Sequence, residues 1–176
     1  WCCLVGSEMC IRDRVATART ESYSQNSRKP TEVIYTNLEG DLARRDFTIN
    51  AMAINILPNQ FGVLIDPYNG IGDIKCKVLK TPLNPDETFA EDPLRMMRAA
   101  YFSSKLNFKL CQPLINSMKK TSSRIEIVSA ERIRDEFIKI LKTKKPSIGI
   151  IVLQKSGLLK YVFPEINAMY GMAQTS

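Results

Sequence analysis

The sequence contains no histidine among its 176 residues. Within this chain that excludes His-ligated metal sites and Ser-His or Cys-His nucleophile pairs. No apolar run is long enough to span a membrane; Ile148 to Leu153 is the most apolar stretch and is far too short. Internal repeats and low-complexity tracts are absent, and the N-terminus lacks the basic start and long apolar core of a secretory signal. Of the 5 cysteines, Cys2, Cys3 and Cys10 fall in the first fourteen residues. The distant remaining pair, Cys76 and Cys111, does not make a disulfide framework or a zinc site, and predicts buried thiols in a reducing compartment. What is present suffices for a core: 44% of the residues are hydrophobic. The formal net charge of +7 fits a polyanionic partner, although basic balance alone is a weak pointer.

Residues 1 to 14 stand apart. The run from Leu4 to Asp13 is similar to one reading frame of a transposon-end adaptor, so these fourteen residues are expected to be a non-native, adaptor-like leader. Genomic sequence encoding them upstream of Val15 would refute this. Setting them aside leaves the formal charge at +7. From Val15 the pattern predicts a short strand to Arg19, a polar loop over Thr20 to Pro30, a strand over Glu32 to Thr36, and helix from Leu38 to Ala53 with a break near Phe47. Ile54 to Leu57 and Phe61 to Ile65 read as a hairpin around residues 58 to 60. Asp66-Pro67-Tyr68-Asn69-Gly70 reads as a turn that Gly72 and Asp73 keep tightly bent, and Val78 to Lys80 as a last small strand. Beyond Pro82 the periodicity is helical: 85 to 90, 93 to 105, 112 to 121, 130 to 141, 146 to 155 and a short piece after Gly157. Ser129 is expected to cap the fourth of these, Ile133, Phe137, Ile140 and Leu141 to form its buried stripe, and Gly157 to stop the fifth. The fold class is α+β, mostly α, with a junction near residues 82 to 85.

Two stretches carry chemistry. In Asp41-Leu42-Ala43-Arg44-Arg45-Asp46-Phe47-Thr48-Ile49-Asn50, a helix would put Asp46 and Asn50, four apart, on one face, while Phe47, Ile49, Met52 and Ala53 anchor the segment. Guanidiniums, an acceptor and a carboxamide suit an anionic, hydroxyl-rich ligand such as a nucleotide; a solvated charged helix is the bland alternative. In Glu91-Asp92-Pro93-Leu94-Arg95, Asp92 and Pro93 make a sound helix start. A cation at Arg95 opposes the macrodipole of that first turn. Asp92 and Arg95, three apart, present an acceptor beside a fork of donors that can pair with a nucleobase edge, or simply form an intrahelical salt bridge. Asp66 to Asp73 is a turn rather than a calcium loop, since the other oxygen ligands are missing. Lys119-Lys120 and Lys142-Lys144-Lys145 suit phosphate contact or solvated helix ends equally well.

Four ordered motifs, Arg44 to Ala51, Asp66-Pro67 with Gly70 and Asp73, Glu91 to Arg95, and Ser129 to Ile133, resemble the bacterial class II tRNA nucleotidyltransferase (CCA-adding enzyme) and poly(A) polymerase family. The resemblance covers nearly everything from Val15 to about Glu165. It implies the C-terminal part of a nucleotidyltransferase palm sheet followed by a helical neck: residues 15–82 as a partial head, and 83–176 as the neck and start of the body. It implies that Arg45, Asp46 and Asn50, with Arg44 beside them, bind the sugar and triphosphate of the incoming nucleotide. Asp66, Gly70 and Asp73 would form a hinge. Asp92 and Arg95 would read the base of CTP or ATP with Glu91 orienting them, and Glu131 and Arg132 would support the neck helices beneath. The implied reaction is nucleotidyl transfer from CTP or ATP to the 3′ end of tRNA, in the cytoplasm, with two magnesium ions held by carboxylates.

The departures from that pattern are as informative. The family's glycine-rich phosphate turn and Asp-x-Asp metal pair would precede Val15, where the adaptor-like leader stands, and no Asp-x-Asp occurs in the chain. The expectation is an internal fragment that binds no magnesium through the residues present and is inactive alone, with no catalytic carboxylate of its own. Poly(A), A-only or C-only addition are alternatives within the family. A non-catalytic RNA-binding helical protein is the alternative of another class. Oligomeric state is not legible, and no membrane partner is expected.

Overall fold

The structure, a computed structural model, describes residues 37–169 and 171 in full and the backbone of strands at 2–4, 15–17, 19–23 and 30–35. Those strands pair antiparallel in two ladders, β1 (Cys2–Leu4) with β2 (Val15–Thr17) and β3 (Arg19–Tyr23) with β4 (Pro30–Tyr35). β3 corrects the loop expected from residue 20. Its Thr and Tyr favour extended backbone, and pairing with β4 supplies the hydrogen bonds that a polar composition hides. The rest of that expected loop, residues 24–29, lies outside the described residues.

Helix α1 (Leu38–Ala43) begins at Asn37, whose side chain accepts from the Gly40 N–H, and it is shorter than expected. The helix does not continue to Ala53. Phe47 is extended (φ −135°, ψ 150°), a single 3-10 turn covers Thr48–Asn50, and β5 (Ala53–Ile54) follows. Two forces break the helix. The Asp46 carboxylate takes the Phe47 N–H at 2.9 Å, competing with the helical bond, and extension drives the Phe47 ring into the core. β5 pairs with β6 (Leu64–Ile65) in the expected hairpin, around a turn at Pro58–Gln60. Ile54, Ile56, Leu57, Phe61, Val63 and Leu64 on this hairpin are exposed.

The segment expected to be a tight bend is helix α2 (Gly70–Cys76). Asp66 starts it, accepting from the N–H groups of Gly70 (2.6 Å) and Ile71 (2.9 Å). β7 (Val78–Leu79) follows and pairs in parallel with β8 (Lys109–Leu110), a strand that the helical periodicity of its surroundings concealed.

The helices match their expected bounds to within a residue: α3 (Pro85–Glu91), α4 (Leu94–Leu106), α5 (Gln112–Thr121), α6 (Ala130–Leu141) and α7 (Pro146–Lys155), then the short α8 (Leu159–Val162) and α9 (Pro164–Ala168). Ser129 is extended before α6, but its hydroxyl makes no cap; its carbonyl accepts from Arg132 and Ile133 instead. Leu141 falls out of the expected stripe and is exposed, while Glu136 turns inward beside Phe137 and Ile140. Gly157 ends α7 at φ +75°, a left-handed turn that favours glycine. Gly149 lets α7 lie close on α4, because a Cβ there would meet Ile140 Cγ2 at 2.5 Å and the Ala100 carbonyl at 3.2 Å. One core joins Phe47 and Leu79 to Phe89, Met96, Met118 and Ile140, leaving the β5–β6 hairpin outside it. Both remaining cysteines are free thiols. Contrary to expectation neither is buried: Cys76 at the end of α2 is exposed and Cys111 is half-buried. No helix among the described residues is long and apolar enough to cross a membrane.

Candidate functional site

The site is built where the turn after α1 meets the start of α4. Asp41, on the last turn of α1 and 2% exposed, holds both arginines. Arg44 donates to its Oδ1 from Nε (3.0 Å) and Nη2 (2.6 Å), and Arg45 Nη2 donates to Oδ2 at 2.9 Å. Burial works against ionisation of Asp41. The hydrogen bonds from Arg45 and Arg44, with their charges, outweigh it and hold the carboxyl below the usual carboxylate range. Because the folded pKa is depressed, the stabilisation is full above the unfolded value of about 3.9 and is lost as pH falls through the folded value. Thermal melts should therefore show wild type more stable than Asp41→Asn at pH 6, with the gap shrinking below pH ~4.

Asp46 is buried and accepts from Phe47 N, from Asn50 Nδ2 at 3.1 Å and from Arg98 on α4. The 3-10 turn thus achieves the Asp46–Asn50 pairing that helical spacing implied by another route. Behind it, Thr48 Oγ1 donates to Asp73 Oδ2 at 2.8 Å, and Lys80 Nζ pairs with Asp73 Oδ1 at 2.7 Å. That hydrogen bond and charge raise the Lys80 pKa. Gly70 has no room for a Cβ, which would strike the Thr48 carbonyl oxygen and Met52 Sδ. Asp66, Gly70 and Asp73 accordingly brace the segment that carries Asp46 and Asn50.

On the other side, Asp92 is extended, and its Oδ1 accepts from Leu94 N at 3.0 Å, so the carboxylate caps α4 across Pro93. Arg95 turns away from Asp92. Its Nη1 donates to Glu91 Oε2 (2.9 Å) and the Thr88 carbonyl (3.3 Å), and its Nη2 donates to the Arg44 carbonyl at 2.8 Å. The guanidinium thereby reaches the carbonyl end of α3, which resolves the apparent conflict with the α4 macrodipole. Three of its five N–H groups are used within the protein, leaving two for a ligand. Glu131 and Arg132 are exposed in the first turn of α6, and no side-chain hydrogen bond among the described residues joins them to this cluster.

Two participants were not legible. Arg98 reaches Asp46 across 52 positions, and its only signal was its place one turn beyond Arg95. Arg124 Nη2 donates to the Ala90 carbonyl at 2.9 Å, steadying the end of α3 just before Glu91, and sits in a segment whose composition gave no cue. Among the described residues no group of three or more carboxylates or thiols could hold a metal ion, and Asp41, Asp46 and Asp73 are each committed to cations. The described residues therefore do not fit a divalent ion.

Residues 5–80 match the poly A polymerase head domain, and residues 107–170 match the probable RNA- and SrmB-binding site of polymerase A. Together the two matches take in most of the chain, which is similar to poly A polymerases in both its head part and its helical part. Among curated relatives it is similar to the CCA-adding enzyme of Ligilactobacillus salivarius, 41% identical over 148 residues, covering 84% of this chain and 36% of that protein. Among solved structures it resembles a CCA-adding enzyme in apo form II (TM-score 0.76, 33% identical, 85% of this chain and 35% of that one). It also resembles the Bacillus stearothermophilus CCA-adding enzyme in complex with CTP (TM-score 0.72, 30% identical, 84% and 34%). The chain spans about a third of the length of the relatives it matches.

Proposed function

We propose that this chain selects the incoming nucleotide for CCA addition to the 3′ end of tRNA, with CTP and ATP as the nucleotides. The observation that carries the reading is the bond from Arg95 Nη2 to the Arg44 carbonyl, which joins the two motifs into one polar site. In this reading Arg44, Arg45, Asp46 and Asn50 meet sugar and phosphates, while Asp92 and Arg95, with Glu91 setting the fork, meet the base. Residues 15–82 serve as head and 83–176 as helical neck and start of body. Glu131 and Arg132 at the start of α6 support the neck helices, and the exposed lysines at 119, 120, 142, 144 and 145 suit contact with RNA phosphates. Magnesium belongs to the whole enzyme, and no step through it is assigned to the described residues. The compartment is the cytoplasm.

The test is equilibrium binding of the four ribonucleoside triphosphates. The chain is expected to bind CTP and ATP at least about tenfold more tightly than GTP and UTP, the worth of one charged hydrogen bond to the base edge. Equal binding of all four would leave a phosphate site without base recognition and reject the reading.

A further inference from the structure

We propose that Lys77 and Lys109, neighbours across the β7–β8 ladder, form a phosphate-binding pair that holds the RNA backbone upstream of its 3′ end. The inference deepens the reading above and rests on it for the identity of the polyanion. No aspartate or glutamate occurs between Asp73 and Asp86, or between Asp92 and Glu126. The ladder joins these two acid-free stretches, with Val78 opposite Lys109 and the Lys109 N–H donating to the Lys77 carbonyl at 2.9 Å. Lys75, Lys77, Lys105 and Lys109 are all exposed. Two of the bounding acids are already engaged: Asp73 is buried against Lys80 and Thr48, and Asp86 pairs with Lys120. Among the described residues neither Lys77 nor Lys109 has an ion-pair partner.

Two features of the pair work against stability. Lys77 closes α2 in the left-handed conformation (φ 56°, ψ 46°), its N–H donating to the carbonyls of Asp73 and Ile74. Glycine is the favoured residue there, since an L side chain bears a steric cost at that φ. The Lys77 side chain is exposed, so packing does not offset the cost. Like charges on paired strands also repel, and no carboxylate partner relieves either lysine. A bound phosphate would cancel the repulsion and give the strained residue a contact. Backbone strain held at a residue other than glycine is the sort of outlier that marks a functional position. The pair also lies apart from the base-reading residues. Arg95 stands at the start of α4 and Lys105 in its last turn, about 15 Å further along the axis at 1.5 Å per residue. In the proposed site the triphosphate lies at Arg44 and Arg45, so a longer polyanion is needed to reach Lys77 and Lys109 as well.

The experiment measures equilibrium binding of a tRNA transcript without its 3′ CCA to the full chain at several salt concentrations. Wild type, Lys77→Gly, Lys109→Gln and Lys160→Gln are compared, with thermal melts and a CTP titration alongside. Lys77→Gly and Lys109→Gln are each expected to weaken RNA binding by about fivefold. Each should also lower the slope of log affinity against log salt by about 0.7 to 0.9. CTP affinity should stay as it is, and Lys77→Gly, freed of its left-handed side chain, should melt about 2–4 °C higher. A purely structural Lys77 would give that rise with RNA binding and salt slope intact, which overturns the proposal. An equal loss in Lys160→Gln, an exposed lysine on α8, would reduce the effect to bulk charge and also overturn it. So would binding to anionic phospholipid vesicles that falls in the two variants while RNA binding holds. Wild type that binds no RNA overturns the proposal, and the CTP titration of the same protein decides separately whether the nucleotide reading stands. If one variant loses its cooperative melt, the other decides by the same measures.

Discussion

Arg95→Ala is expected to weaken CTP and ATP binding together by about a hundredfold, since two charge-assisted hydrogen bonds at ~1.5 kcal/mol each would be lost. The effect falls on both nucleotides because Arg95 lies where the two motifs meet: three of its N–H groups hold Glu91, the end of α3 and the Arg44 backbone, and in the proposed site the other two would meet the ligand. Lysine is a poor substitute, since a single ammonium cannot span the Glu91 carboxylate and the Arg44 carbonyl while leaving donors outward. Calorimetric titration of each nucleotide measures the change. If binding is untouched while charge removal at Lys119 and Lys120 weakens RNA binding, a non-catalytic RNA-binding protein is the better description.

The second large effect is on stability. Phe47→Ala should cost about 3–5 kcal/mol in denaturant unfolding, the range for truncating a fully buried aromatic ring. Phe47 is 0% exposed and packs edge-on against Phe102, so the cavity would open between the site segment and α4. The same change removes the anchor beneath Asp46, so nucleotide affinity should fall even at temperatures where the variant remains folded. A loss below about 1 kcal/mol would mean that the neighbours collapse into the space and that the ring is not the anchor described.

The helical array was legible because α4, α5 and α7 start at or beside a Pro, α6 carries an apolar period behind Ser129, and Gly157 closes α7, so their bounds follow from those local signals. The site segment was legible in its chemistry and not in its backbone. Arg44 to Ala53 reads as helix by composition, yet the Asp46 side chain captures the Phe47 N–H and stops it, an outcome that depends on core space for the Phe47 ring. Arg95 shows the same limit. Spacing paired it with Asp92, whereas the folded chain offers it Glu91 and the distant Arg44 carbonyl, a partner no window of local sequence contains. Arg98 and β8 were missed for that reason too: their partners lie 52 and about 30 positions away.

The parallel ladder of β7 and β8 has a mechanical consequence. Val78 pairs with Lys109 and Leu79 with Leu110, on opposite sides of the compositional junction near residues 82 to 85. The ladder closes a loop that contains α3 and α4, so Glu91, Asp92, Arg95 and Arg98 all ride on a segment clamped at both ends. Cutting the peptide bond after Thr81 would therefore not release two independent pieces. Tension between the parts would load the ladder in shear, all its bonds at once, and the recognition residues would keep their register until the clamp itself gave way.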